Sequence, residues 1–169
     1  MYQDLLQIIL NFGDSLEDIA NLVASVSYVV GVIFMMIGVK KLHSSNEQRA
    51  QMFHPMEMGG PLMNIITGVA LIWWPVMLDA LTASLWGTAN PIGYDPNVDA
   101  EYKEVWNVIL NIMKIVGLIA FIRGWYCLTK AGEQGAQGMV GKGLTHIVGG
   151  VLAFHMDAVI QVLFSTFGF

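Results

Sequence analysis

Four long apolar stretches constrain the fold of this chain more than any other feature of its sequence. They cover residues 19–39, 61–81, 105–126 and 144–164. At a rise of about 1.5 Å per residue, a helix of about 21 residues crosses the roughly 30 Å hydrocarbon core of a bilayer. The apolar residues run all the way round each helix, which argues against the striped core helices of a soluble bundle. The sequence therefore predicts an all-α membrane protein with four transmembrane helices.

The composition of the chain agrees with a membrane location. Of its 169 residues, 55% are hydrophobic and 12% are charged, and the mean hydropathy is +0.58. So few charges cannot coat a soluble globule of this size. The net charge of −5 and the scattered Lys and Arg residues leave no basic face, so we predict no direct nucleic-acid binding. Cys127 is the single cysteine, which excludes an internal disulfide framework and a CxxC metal pair.

An internal repeat organises the four stretches. Residues 21–51 align with residues 107–137 with ten identities in 31 positions, and after a four-residue deletion Leu62 aligns with Leu144. An even number of spans per copy gives both copies the same orientation. We therefore predict two tandem helical hairpins in parallel orientation. The predicted parts are an amphipathic N-terminal segment (1–18), the first hairpin (19–86), an acidic extracytoplasmic linker (87–104) and the second hairpin (105–169).

Local signals refine the boundaries of the spans. Gly13 interrupts the N-terminal pattern, and Ser15 followed by Asp18 predicts the start of the first transmembrane helix. Pro75 lies inside the second stretch and predicts a kink there. The fourth stretch, residues 144–164, is expected to form one span.

Positive charge predicts the orientation in the membrane. The two loops within the hairpins contain Lys40, Lys41, Arg49, Lys130 and Lys142. Loops that are rich in Lys and Arg stay in the cytoplasm. We therefore predict a multi-pass protein of the bacterial inner (cytoplasmic) membrane, with periplasmic N- and C-termini.

Ionisable residues inside the spans are the candidate functional residues, because charge is costly in hydrocarbon. Arg123 is near the cytoplasmic end of its span and is expected to reach lipid phosphates. Lys114 and Asp157 lie about 14 Å and 11 Å from the outer ends of their spans, so they can meet. The pair fits two interpretations equally: an ion pair that locks two helices together, or a wet lumen that an ion or substrate enters.

Helical geometry extends these charges into polar stripes. At 100° per residue, His146, Asp157 and Gln161 share one face of the fourth span with Gly150, and Gly68 shares a face of the second span with Asp79. The candidate polar seam comprises Lys114, Asp157, His146, Gln161, Asn107, Asn111 and Asp79. Small residues let helices approach closely. The candidate helix-packing residues are Gly31, Gly38, Gly117, Gly124, Gly68 and Gly150.

The sequence contains candidate ligands for haem and for copper but predicts neither cofactor. His146 and His155 lie on the fourth span, but the other histidines lie in a loop and cannot supply a second axial haem ligand at membrane depth. Soft ligands suited to Cu(I) occur in the loop segment that contains Met52, His54, Met56 and Met58, although methionine is frequent throughout the chain. No nucleophile elbow, P-loop, zincin motif or nucleotide fingerprint occurs in the sequence. We therefore predict a protein that is not an enzyme.

The apolar segments resemble a known family. Residues 16–42 (LEDIANLVASVSYVVGVIFMMIGVKKL) and 61–71 (PLMNIITGVAL) are similar to the small polytopic inner-membrane subunits of type IVB (Dot/Icm-type) secretion systems, of the DotE (IcmC) or DotV kind, with TraQ-like relatives in conjugation machines. The resemblance covers most of the chain, including its hydropathy and repeat layout. It implies no catalytic residue, and it implies an assembly with larger polytopic and ATPase components that passes effector proteins or a DNA–protein complex.

These observations favour one function and leave a second one open. The expected function is a non-enzymatic structural or channel subunit of such a secretion machine, oligomeric and in contact with membrane lipid and other polytopic subunits. The alternative is a small transporter or ion channel that uses the Lys114/Asp157 pair.

Overall fold

A computed structural model describes residues 2–49, 59–88, 91, 100–132 and 138–168. The regular structure in these ranges is entirely helical, which confirms the predicted all-α class. The helices are α1 (Tyr2–Arg49), α2 (Gly59–Ile72), α3 (Trp74–Trp86), α4 (Ala100–Ala131), α5 (Met139–Phe154) and α6 (Met156–Phe167).

The longest helix, α1, runs through the predicted N-terminal boundary without a break. It has 48 residues and is therefore about 72 Å long. The predicted interruption at Gly13 and the predicted helix start at Ser15 are wrong. The Ser15 hydroxyl donates to the carbonyl of Asn11 at 3.2 Å, as a hydroxyl inside a helix does. Gly13 serves packing instead, because an added Cβ would lie 2.6 Å from a methyl group of Val108 on α4.

Two helices are long and apolar enough to cross a membrane by themselves. They are α1, over Gln7–Ser44, and α4, over Tyr102–Ala131. The other helices form two bent pairs, α2–α3 and α5–α6, and each pair meets the same criterion only when its two helices are taken together. The described residues therefore contain two candidate crossings, or up to four if each bent pair is one span. This agrees with the predicted membrane class.

Each bent pair turns at a single residue. The angle between α2 and α3 is 90° at Trp73, and the angle between α5 and α6 is 81° at His155. The backbone ψ angles of these residues, 33° and 45°, are outside the helical region. Pro75 is in the first turn of α3, where its fixed φ and missing N–H suit a helix start. The predicted kink is therefore present as a sharp break just before the proline.

The break at His155 shows that residues 144–164, which are predicted to form one span, do not form one continuous helix. No proline accompanies it, so the signal that marks the first break is missing from the second. With 14 and 16 residues, α2 and α5 extend about 21 Å and 24 Å. Neither helix therefore crosses a hydrocarbon core of about 30 Å before its pair bends.

The long helices each pack on one helix of a bent pair, and they also pack on each other. α1 packs on α2, and α4 packs on α5. α1 and α4 also touch each other and run parallel, since Gly13 contacts Val108 near one end and the Phe34 ring lies 6.1 Å from the Tyr126 ring further along both helices. α3 packs on a buried cluster that α4 and α5 form together. The members of that cluster are Phe121, Leu128, Ile147 and Val151.

Candidate functional site

Ionisable side chains gather beside the break between α5 and α6. Asp157, Lys114 and Asp79 each lie close enough to the His155 ring to interact with it electrostatically. They come from three helices: Asp79 from α3, Lys114 from α4 and Asp157 from the first turn of α6. We call these four residues the break cluster, because α3 and α6 both begin at a break.

His155 is the residue on which the other three members of the break cluster act electrostatically. Its ring centroid is 5.9 Å from that of Trp86 on α3 and 5.2 Å from that of Phe154 on α5. Its Nε2 atom is buried and has no hydrogen-bond partner among the described residues. A buried polar atom without a partner costs stability until water or a ligand satisfies it. A bound polar group that formed a hydrogen bond with Nε2 would therefore remove this cost.

Lys114 and Asp157 share His155 as a neighbour. Lys114 is exposed and Asp157 is half-buried. In the part of the chain that the structure describes, no ion pair within 4 Å joins their side chains. The two charges are thus arranged around a histidine instead of in direct contact.

The bends divide the polar stripes predicted for the second and fourth spans. His146 lies on α5 and Gln161 on α6, and the 81° angle between those helices separates their faces. His146 Nδ1 forms a hydrogen bond of 2.8 Å with the carbonyl of Lys142, and Gln161 is exposed. Gly68 on α2 and Asp79 on α3 are separated in the same way by the 90° bend. The predicted stripes are wrong here because they assume straight helices.

The stripe predicted on α4 lies on an unbroken helix. Asn111 and Lys114 line a cavity of about 350 Å³ between α4 and α1, whereas Asn107 is exposed and outside its lining. Glu17 and Asn21 line the cavity from α1. Glu17 was not selected from the sequence, whereas Asn21 belongs to the polar stripe that the repeat predicts on the first span, because it aligns with Asn107.

The six predicted packing glycines lie where helices cross. A Cβ added to Gly31 would lie 2.9 Å from the Gly68 carbonyl oxygen, and one added to Gly117 would lie 2.6 Å from the Gly150 carbonyl oxygen. Gly38 and Gly124 lie at a second close contact along the same helix pairs, against Ile65 of α2 and Ile147 of α5. Contacts this short leave no room for a side chain. The α1–α2 and α4–α5 backbones therefore approach each other closely.

The candidate haem ligands lie among the described residues, and the candidate copper ligands do not. Among the residues with described positions, no group of three or more His, Cys, Asp or Glu side chains could hold a metal ion. The copper-type segment with Met52, His54, Met56 and Met58 lies outside those residues. Along the helices, His146 precedes His155 by nine residues, or about 13 Å, so the two rings do not meet at one haem iron.

Comparisons of the chain with protein-family models, curated proteins and solved structures find no match. Its function is therefore inferred from the break cluster, the α1–α4 cavity and the apolar surface of the helices.

Proposed function

We propose that this protein is a non-enzymatic structural or channel subunit of a type IVB (Dot/Icm-type) secretion machine in the bacterial inner membrane. The observation that carries the proposal is the apolar surface that the helices leave uncovered. In the most apolar stretch of α1 only 17% of the residues are buried inside the protein, and in that of α4 only 28%. Such helices present most of their surface to lipid and to neighbouring membrane proteins.

The resemblance of residues 16–42 and 61–71 supplies the class of machine. Small subunits of this kind lie among larger polytopic subunits and ATPase components. In the described ranges the chain is made of the six helices and short connections, so its contacts with partners would be mainly lateral. A lateral contact role fits an assembly subunit better than an enzyme.

One face of α1 is the best candidate for a partner contact. Leu22, Val29 and Met36 are 63%, 61% and 60% exposed and are spaced seven residues apart. Seven-residue spacing keeps side chains on the face that packs against another long helix. A fluid lipid chain accommodates a larger side chain on that face, whereas a closely packed helix does not.

Purification from the native cell in mild detergent tests this role. We expect other polytopic inner-membrane subunits to co-purify with the protein. Val29→Trp should reduce their recovery, while Val116→Trp, an equal enlargement of an exposed residue on α4, should reduce it less. Recovery of the protein alone, or equal losses with both variants, would contradict the proposal.

We also infer that the chain is a duplicated hairpin. At the 82-residue offset of the second part of the alignment, Trp73 pairs with His155, and these are the two break residues. The same offset pairs Asn64 with His146, and each of these side chains bonds at 2.8 Å to the carbonyl four residues earlier. Matching breaks and matching hydrogen bonds support the duplication.

The proposed orientation puts the connections from α1 to α2 and from α4 to α5 in the cytoplasm and both termini in the periplasm. The basic residues predicted to lie in those loops lie instead in the flanking helices: Lys40, Lys41 and Arg49 in α1, Lys130 in α4 and Lys142 in α5. The parallel course of α1 and α4 supports two copies of the same orientation. The linker 87–104 lies largely outside the described residues. A reporter fused after Glu47 should behave as cytoplasmic and one fused after Asn97 as periplasmic, and the reverse pattern would contradict the orientation.

A small transporter or ion channel is the second candidate, and the break cluster favours it. In many transporters, discontinuous helices with polar groups at the break form the ion or substrate site. In proteoliposomes, neutralising both charges with Lys114→Met and Asp157→Asn should abolish flux by a transporter. A structural subunit should instead retain its assembly when Lys114 and Asp157 are exchanged. Lys142→Met, which removes an exposed lysine outside the cluster, is the control.

A further inference from the structure

A cavity between α1 and α4 adjoins the break cluster and shares Lys114 with it. The two helices touch where Gly13 meets Val108 and again where Phe34 meets Tyr126. Between these contacts they separate around a space of about 350 Å³. That volume is at the lower end of the range of about 300–1,000 Å³ typical of small-molecule sites.

The cavity lies at the level of both helix breaks. Trp74, the first residue of α3, and Phe154, the last residue of α5, line it. The rest of its apolar wall comes from α1 and α4, with Leu16, Ala20, Ala24, Ile115 and Leu118. An apolar wall of this kind suits a ligand that has hydrocarbon next to its polar group.

Four polar residues line this space, three of them exposed and Asn111 half-buried: Glu17, Asn21, Asn111 and Lys114. Within the described part of the chain, none of these side chains forms a hydrogen bond or an ion pair with another residue. A carboxylate and an ammonium in a membrane-spanning region need compensating charge. A ligand with a single charge would satisfy one of them and leave the other, so the cavity calls for a ligand that carries both signs.

The register of α1 and α4 sets the spacing of the two charges. Because Gly13 lies against Val108, Glu17 is level with residue 112 on α4. Lys114 is two residues further along, a displacement of about 3 Å parallel to the helix axes. The acid and the base therefore face the same space from opposite helices without touching.

We propose that this cavity binds the head group of a zwitterionic phospholipid that has a primary ammonium group. Lys114 binds the phosphate, with the amides of Asn21 and Asn111 as further donors, and Glu17 binds the ammonium. The apolar wall favours a lipid over a free zwitterion of the same chemistry. This site is independent of the export role and of the identity of any protein partner.

Native mass spectrometry of the full-length protein, titrated with phosphatidylethanolamine or with phosphatidylglycerol, tests the proposal. We expect one saturable phosphatidylethanolamine per chain and weaker binding of phosphatidylglycerol. Lys114→Met should weaken phosphatidylethanolamine binding by about tenfold or more, because it removes a charge-assisted bond to phosphate. Lys114→Arg keeps the charge and should keep the binding, which separates lost binding from lost folding.

Glu17→Gln tests the assignment of the ammonium. It should abolish the preference for phosphatidylethanolamine over phosphatidylglycerol, because that preference rests on the contact between Glu17 and the ammonium, a group that phosphatidylglycerol lacks. Asp18→Asn is the matched control, since Asp18 is the next acidic residue on α1 and does not line the cavity. Equal binding of the two lipids by the unaltered protein, or equal effects of the two substitutions, would overturn the proposal. Free phosphoethanolamine that binds as tightly as the lipid would overturn the lipid assignment.

Discussion

Replacing Gly150 with Ala should force α4 and α5 apart. An added Cβ would lie 2.7 Å from the carbonyl oxygen of Gly117 and 2.7 Å from the backbone nitrogen of Phe121. Both atoms belong to the α4 backbone, so no change of rotamer can relieve the contact. Ordinary van der Waals contact begins at 3.4 Å, which requires the helices to separate by about 0.7 Å at this point.

The energetic effect of Gly150→Ala combines two opposing terms. Overpacking of a closely packed contact costs about 1–3 kcal/mol. Alanine favours a helix over glycine by about 0.8–1.0 kcal/mol, which offsets part of that cost. We therefore expect a net loss in the free energy of unfolding of up to about 2 kcal/mol.

Gly149→Ala isolates the overpacking term. Gly149 is the preceding residue of α5, and a Cβ added there has no atom within 4 Å. The helix-propensity gain is common to both variants, so their difference should be about 1–3 kcal/mol. Reversible unfolding in mixed detergent micelles, followed by far-UV circular dichroism, measures that difference. Equal stabilities of the two variants would refute the close approach of α4 and α5.

Three further predictions test contacts elsewhere in the bundle. Gly132→Ala should lower the free energy of unfolding by about 1 kcal/mol or more in the same micelle assay. The reason is that the added Cβ would lie 2.8 Å from the carbonyl oxygen of Gly59. An unchanged free energy of unfolding would contradict that contact. Thr67→Val should cost less than about 1 kcal/mol, since the Thr67 hydroxyl donates to the Trp125 carbonyl across a long 3.4 Å; a larger loss would show that this bond is stronger than its geometry indicates. Cys127 is buried, so a maleimide should label it slowly in the folded protein and quickly after unfolding, and rapid labelling of the folded protein would contradict its position.

The sequence predicted the helical class and the two long helices because both depend on sums over many residues. Predicted spans 19–39 and 105–126 lie inside α1 and α4, where the many apolar residues of a whole span contribute to one signal. The breaks depend on the ψ angle of one residue each, and a sum over many residues does not detect that. Pro75 marked the first break. His155 has no such marker, because no proline lies near it, and its alignment with Trp73 became informative only once the break at Trp73 was known.

The candidate site was predicted in part for a related reason. Lys114 and Asp157 were identified because ionisable residues are rare in apolar spans. From the sequence, His155 stands out only as a candidate haem ligand, and its electrostatic contact with those charges follows from a bend that the sequence did not indicate. Glu17 was missed because the contact between α1 and α4 joins residues far apart in the chain, and helical periodicity within one segment does not specify the neighbouring helix.

The two breaks are stabilised differently, and this difference explains why the ionisable residues gather at the second one. A helix that starts inside a membrane leaves the N–H groups of its first turn without partners. At the start of α3, Pro75 has no N–H, so one fewer N–H group is left without a partner and no charge is added. At the start of α6, the corresponding residue is Asp157, whose carboxylate is favourable next to the exposed N–H groups of a helix N-terminus. A carboxylate in an apolar segment requires a further polar neighbour, which His155 supplies. If the chain arose by duplication, a site with ionic or proton chemistry is expected at the break that carries the carboxylate, and not at the one that carries the proline.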